Sequence, residues 1–250
     1  MEVKRISIFD CAIVGGGPAG LNASLVLGRA RRKVALFDNG TNRNRVTQEA
    51  HGFLTRDGIK PEELRLIASQ EIKNYPSVQF LQETVTEIAK ITDKPIIFEI
   101  KTDQQSSYLA ERIILAAGVK EIHMPVPNLD QYYGKSIFSC PYCDGWEHRD
   151  QPLVIIAEEE KAIFHMAKLV YNWSQDLMIA TNGHTIPMQL QWKLDEKQIT
   201  VITESIKELL GKDGYLQGIV FSSGLQIKRT AGFVTPSFIR PNVFAEQLGC

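Results

Sequence analysis

The sequence predicts an α/β protein made of two related halves, and three observations carry that prediction. A strand, a glycine turn, a helix and a second strand follow one another within residues 8–37; a second strand–helix–strand pattern follows residue 150; and a proline-bearing stretch lies between them. Residues 8–14 are apolar, 15–20 form the turn, 21–30 suit a helix and Val34–Phe37 is apolar again, which makes one βαβ unit. A charged amphipathic helix with Pro61 at its start is predicted over 61–74, followed by strands at Val78–Leu81, 95–101 and 112–115. Pro125 and Pro127 interrupt 121–133, as suits a connection, and place a boundary near residue 119. Beyond it, Leu153–Ile156, a helix over 159–172 and Leu177–Ala180 repeat the βαβ order, and Tyr215–Phe221 with 225–228 flanks a hairpin turn.

Composition narrows the function classes. The 250 residues are 44% hydrophobic, enough for one large or two small cores, and the net charge is −1. Such a balance gives no long-range field for nucleic acid or anionic lipid. No window reaches the roughly 18 uncharged apolar residues of a membrane span, and residues 1–9 lack the apolar core of a secretion signal. The expectation is a soluble cytoplasmic chain. Of the four cysteines, Cys11 sits in an apolar strand pattern as a small hydrophobe, and only Cys140 and Cys143 have a spacing with chemical meaning in a reducing compartment.

Gly15-Gly16-Gly17-Pro18-Ala19-Gly20 fits G-x-G-x-x-G directly after a strand and before a helix. A bare glycine run marks only a turn; the flanking elements favour a dinucleotide site. Gly15 permits the tight turn, Gly17 lets backbone approach a pyrophosphate, Gly20 lets helix and strand pack closely, and the diphosphate meets the positive helix N-terminus. Asp38, eighteen residues after Gly20, is placed to bind an adenosine ribose. The motif alone does not separate FAD from NAD.

Ser139-Cys140-Pro141-Tyr142-Cys143-Asp144-Gly145 holds two thiols at a spacing that cycles readily between dithiol and disulfide, with one thiolate attacking and the other resolving. Asp144 adds a carboxyl group that can carry protons for the pair. A zinc site would need two more ligands, for which only His123 and His148 are nearby, and inert surface cysteines are the other alternative. The redox reading is preferred and no metal is predicted. Tyr142, Trp146 and Arg149 either shape a docking surface for a partner or simply pack.

With both motifs in hand, the chain resembles the low-molecular-weight thioredoxin reductases, in the subgroup with a Cys-Pro-Tyr-Cys-Asp-Gly dithiol. The likeness runs through Gly15–Gly20, Asp38, Ile113-Ile114-Leu115-Ala116-Ala117-Gly118 and Cys140-x-x-Cys143-Asp144. It implies two Rossmann-like (FAD/NAD(P)-binding) three-layer domains, with the FAD domain interrupted by the other: 1–118 plus 232–250 for FAD, 119–231 for the NAD(P)-binding-like domain carrying the dithiol. It also implies FAD as cofactor, a homodimer, and a thioredoxin-like protein or a small disulfide as substrate. By the same resemblance Cys143 faces the flavin, Cys140 attacks the partner disulfide and Asp144 donates the proton. The implied cofactor-binding residues are Gly15, Gly17, Pro18, Ala19, Gly20, Asp38, Ala117 and Gly118, with Asn44, Arg45, Val46 and His51 in the stretch where relatives wrap the flavin.

The chain departs from that pattern twice. The second Rossmann turn reads Ala157-Glu158-Glu159-Glu160-Lys161-Ala162, with both glycines lost and carboxylates where a pyrophosphate would dock. One such charge contact at about 4 Å costs roughly 1 kcal/mol in water and roughly 4 at an effective dielectric of 20. The sequence therefore predicts weak or absent NADPH binding. The family's closing Gly-Asp turn and final helix are also missing, since the chain stops at Gln247-Leu248-Gly249-Cys250. Two further readings stand beside a disulfide reductase: an oxygen-dependent dithiol oxidase, and a non-catalytic remnant poor in flavin.

Overall fold

The computed structural model describes residues 8–250, which form two compact units. The N-terminal residues used to exclude a secretion signal lie, up to residue 7, outside the described residues. Unit one comprises residues 8–45, Lys60–Lys120 and Ile239–Cys250; unit two comprises Val46–Ile59 and Glu121–Phe238. No described helix is long and apolar enough to cross a membrane.

Unit one has three layers. Its parallel sheet runs in the order Val78–Leu81, Val34–Phe37, Cys11–Val14, Ile113–Leu115. Continuous apolar runs suit such strands because both faces are covered. Along Cys11–Val14 the period of two sends Cys11 and Ile13 to one face, where they meet Leu21 of helix Pro18–Arg29 and Ile72 of helix Pro61–Ile72. Ala12 and Val14 take the other face, against Ile88, Ile100 and Ala110 of a second, mixed sheet built from Ile8–Phe9, Ser107–Ala110, Ile96–Thr102 and Val85–Asp93. Cys11 is thus buried, and burial pushes its thiol above the ordinary cysteine range. Phe244, on the short helix Phe244–Gln247, closes the core between the two sheets.

Unit two repeats the plan. A five-stranded parallel sheet runs Ile137–Phe138, Ala231–Val234, Leu153–Ile156, Leu177–Ala180, Thr200–Ile202. Helices Glu160–Val170 and Met188–Asp195 cover one face, and the antiparallel strands Ile206–Lys212, Tyr215–Phe221 and Gln226–Ile227 cover the other. Ile155 and Phe233 are fully buried, each stabilising the unit by about 1.5–3 kcal/mol.

The described chain is the α/β fold that the two βαβ patterns predict, with three differences of detail. Val85–Asp93 and Ile206–Lys212 are strands that the apolar runs do not announce, because alternating solvent-facing residues such as Glu87, Lys90 and Lys207 break them up. Residues 232–238, placed from the sequence in the segment returning to the first domain, belong to unit two. Ala231–Val234 pairs there between Ile137–Phe138 and Leu153–Ile156, and the return begins at Ile239. The third difference is the segment Val46–Ile59, which groups with unit two. The carbonyl of Val46 lies so close to Gly134 that a side chain there would meet it at 2.5 Å, and Gln48 Nε2 donates to the Tyr215 hydroxyl at 3.2 Å.

Candidate active site

In unit one the glycine turn leaves the end of Cys11–Val14 and enters helix Pro18–Arg29. Gly15 has φ +109°, open to glycine alone, and a Cβ on Gly20 would stand 1.8 Å from the Gly15 carbonyl oxygen. Space is open beside Gly17, the N-cap residue, where a Cβ would meet nothing within 4 Å. No side chain caps this helix and no acidic residue stands in its first turn, so its leading N–H groups and positive dipole end are left for an anion. Asp38 stands at the end of the neighbouring strand. One of its carboxylate oxygens accepts from the Gly40 N–H at 3.0 Å and the other from Arg65 at 2.6 Å. That hold fixes the carboxylate beside the turn. An open, uncapped turn with a fixed acceptor at its flank fits the pyrophosphate and ribose of a dinucleotide. Asn44 and Arg45 follow in the same unit, the guanidinium of Arg45 donating to the carbonyls of Thr41 and Asn42 at 2.9 and 3.1 Å. Gly118, after Ala117, has φ +69°.

In unit two the dithiol opens a single helical turn, Pro141–Asp144, with Cys140 as its N-cap. The N–H groups of Cys143 and Asp144 both donate to the Cys140 carbonyl, at 3.1 and 3.2 Å, which folds the two thiol-bearing residues back on one another. Cys140 is half-buried and Cys143 exposed. Asp144, half-buried behind them, is pushed up to about 7. Loss of hydration is the chief cause; the Cys140 sulfur and the Glu147 carboxylate push the same way, and His51 opposes them. A carboxyl group poised there can give or take a proton at neutral pH.

Four neighbours not announced by the sequence complete this site. The Ser139 hydroxyl donates to Glu121 at 2.9 Å and the Tyr133 hydroxyl to the same carboxylate at 2.6 Å, which anchors the residue before Cys140. Trp173 meets Tyr142 edge-on at 5.4 Å. Glu147 lies within 3.6 Å of His51. Glu121 and Trp173 lie far from the dithiol in sequence, so no local pattern announces them. Tyr142 and Trp146 stay 74% and 64% exposed, with the Arg149 guanidinium 4.2 Å over the Trp146 ring. His123 packs on Tyr133 and His148 on Phe138, and no group of three or more metal-ligating side chains comes together among the described residues. Of the residues assigned to the cofactor, the glycine turn, Asp38, Asn44, Arg45, Ala117 and Gly118 stand in unit one, whereas Val46 and His51 stand in unit two.

The second Rossmann turn differs from the first. Glu159 is the N-cap of helix Glu160–Val170 and Glu160 lies in its first turn. Glu158 is half-buried at the strand end, where its carboxylate accepts from Asn182 at 3.2 Å and lies 3.9 Å from His184 Nδ1. Carboxylates already answer the positive end of this helix.

A strand–glycine-turn–helix dinucleotide unit and a second Rossmann-like unit bearing a Cys-x-x-Cys-Asp turn make up the fold and motifs of the two-domain disulfide oxidoreductase class. The comparisons agree: residues 9–215 match the pyridine nucleotide-disulphide oxidoreductase family, and the chain belongs to it. Members of this family are FAD-dependent, and the open turn at Gly15–Gly20 fits that cofactor. The chain is 38% identical over 181 residues to a protein of Arthroderma benhamiae assigned as a thioredoxin reductase, covering 70% of this chain and 44% of that protein. To the thioredoxin reductase aclD of Aspergillus oryzae it is 33% identical over 216 residues, covering 83% of this chain and 68% of the relative. The crystal structure of a Bacillus anthracis protein assigned as thioredoxin reductase TrxB superposes with a TM-score of 0.94 at 58% identity, over 97% of this chain and 80% of that one. The chain thus spans less than half the length of the first of these curated relatives and about two thirds of the second.

Proposed function

We propose that the chain is an FAD-dependent disulfide oxidoreductase of the thioredoxin-reductase type, which passes electrons through flavin to the Cys140/Cys143 dithiol and on to a protein or small-molecule disulfide. The observation that carries this reading is the Cys140-x-x-Cys143-Asp144 turn, in which a carboxyl group poised near neutrality backs two thiols. Cys140, as thiolate, attacks one substrate sulfur and forms a mixed disulfide while the other sulfur leaves; Cys143 then displaces the first sulfur. The dithiol becomes a disulfide, losing two electrons, and the substrate disulfide becomes two thiols. Asp144 supplies a proton to a departing thiolate or accepts one from an attacking thiol. FAD, which the Gly15–Gly20 turn and Asp38 would hold, would once reduced by the electron donor supply the two electrons that return the Cys140–Cys143 disulfide to the dithiol.

The residues of the second turn do not fit the pyrophosphate of NADPH: Glu158, Glu159 and Glu160 occupy the strand end and helix start that would have to receive it. We take the electron donor to be a dithiol or a reduced protein. The same carboxylates favour a second reading, in which substrate dithiols deliver electrons to flavin and oxygen removes them. The substrate of the first reading is a thioredoxin-like protein or a small disulfide, and the working form is a homodimer.

The test is a spectrum followed by a turnover assay. Purified protein is expected to carry about one flavin per chain, and anaerobic NADPH to bleach it slowly or not at all. Cys143→Ser is expected to keep the flavin and lose disulfide reduction. Turnover retained in that variant overturns the dithiol assignment, and rapid stoichiometric bleaching by NADPH overturns the account of the second turn.

A further inference from the structure

His51 is held in a way that cofactor contact does not explain. Its side chain is only 16% exposed and stands among carboxylates from three places: Glu49 at 3.3 Å and Glu147 at 3.6 Å from Nε2, and Asp57 at 3.5 Å from Nδ1. Both ring nitrogens therefore face acceptors, and only the imidazolium has a hydrogen on each. The loop that presents it is closed by the Ala50–Ile59 bridge, whose Ala50 N–H donates at 2.8 Å, and by Asp57, which accepts the Gly52 N–H at 2.8 Å. That backbone hydrogen bond, with His51 itself, holds Asp57 below the ordinary carboxylate range. The ring is thus held by carboxylates of its own loop on one side and by Glu147 on the other.

Glu147 belongs to the stretch that follows the dithiol turn, and both it and His51 are close enough to act on the Asp144 carboxyl electrostatically. The charged and titratable groups around Asp144 are Cys140 and Cys143 on its own turn, Glu147 on the next, and His51 from the Val46–Ile59 segment. His148, also nearby in sequence, is pushed down by burial and stacks on Phe138, while Arg149 is turned to Trp146. Among the charge partners of Asp144, His51 is the basic side chain, set against the acidic Cys140 and Glu147.

We propose that His51 is a positioning residue: clamped by Glu49, Asp57 and Glu147, it sets the protonation of Asp144 and hence the pH at which the Cys140/Cys143 dithiol exchanges with a disulfide. This rests on the reading of Cys140/Cys143 as the redox pair. The signs follow from charge alone. His51 acts to lower the Asp144 carboxyl, so removing the imidazole leaves only Cys140 and Glu147 beside it and Asp144 holds its proton to higher pH. Removing the Glu147 charge acts in the opposite direction.

The experiment uses the full chain, reduced and freed of excess reductant, in single-turnover reaction with bis(2-hydroxyethyl) disulfide from pH 5.5 to 9, with the protein thiols counted after acid quench and removal of small molecules. Its leaving group is an ordinary alkyl thiolate, which needs a proton. The wild-type rate is expected to inflect near pH 7, and Asp144→Asn to lose that inflection. His51→Gln should move it up by about half a unit or more and Glu147→Gln should move it down, these being charges just beyond direct contact. His51→Lys, which supplies a cation, should restore the wild-type position. A purely structural His51 would shift amplitude or stability in every variant alike and leave the inflection in place, and that result overturns the proposal. Wild-type protein that does not exchange, or a Cys143→Ser variant in which the mixed disulfide at Cys140 is still resolved and a second substrate thiol released, overturns the dithiol reading itself; normal wild-type exchange with an unmoved inflection in His51→Gln overturns only the role of His51.

Discussion

The two Rossmann turns of this chain share a backbone plan and differ in what they offer a ligand. At 15–20 the strand ends in glycines, space is open beside Gly17, and the helix begins with no side chain on its free N–H groups. At 157–162 the equivalent strand end carries Glu158, already engaged by Asn182, and the helix begins with Glu159 and Glu160. The first turn keeps a positive helix end available, and the second has neutralised its own. The lesson is that a Rossmann topology does not by itself make a nucleotide site: the residues at the strand end decide, and they can be lost while the sheet persists.

That contrast can be broken or sharpened by substitution. The largest effect is expected from Gly20→Ala, which drives a methyl group into the Gly15 carbonyl. Loss of about 2–4 kcal/mol of unit-one stability and of most bound flavin should follow, read by denaturant midpoint and by flavin absorbance per chain. Next comes Glu158→Ala with Glu159→Gly. Relief of one close charge contact is worth about 1–4 kcal/mol, so bleaching of the flavin by NADPH should accelerate at least about fivefold. An unchanged rate in stopped flow would show that the carboxylates are not what closes this turn.

Asp144→Asn asks whether unit two now keeps its strained group at the dithiol. Because the folded protein holds Asp144 up to about 7, wild-type stability is greatest below the unfolded carboxylate value near 3.9 and is progressively lost as pH rises through about 7. The asparagine variant should match the wild type near pH 4 and exceed it above pH 8 by about 1 kcal/mol, the full shift being discounted for the partial exposure of the group. The smallest effect belongs to Arg65→Ala. Its ion pair with Asp38 is partly exposed, worth about 0–1 kcal/mol, and flavin affinity should fall by only a few-fold in an equilibrium titration.

Much of this was legible because it is local. The glycine turn, the dithiol and the glutamates at 158–160 each declare their chemistry within six or seven residues, and the apolar runs of Cys11–Val14 and Leu153–Ile156 match strands buried on both faces. What the sequence concealed depends on contacts far apart in the chain. Ala231–Val234 is four residues long and contains Gly232, so nothing marks it as an inner strand; its place becomes clear only when Val154 is seen packed where a Gly232 side chain would stand. The assignment of Val46–Ile59 to unit two depends on Gly134, Tyr215 and Glu147, each some 85 residues or more away in sequence. The His51 cage was hidden for the same reason: Glu49 and Asp57 are local, but Glu147 is not.

The sequestered Cys11 gives the molecule an internal reporter of its own opening. Against a small alkylating reagent, native protein should yield its exposed thiols at Cys143 and Cys250 quickly and Cys140 more slowly, while Cys11 waits behind two layers of side chains with a thiol that burial keeps protonated. Mass spectrometry that follows the last alkylation event would then time the excursions of the flavin-type unit separately from the chemistry of the dithiol, on one sample and with no label added.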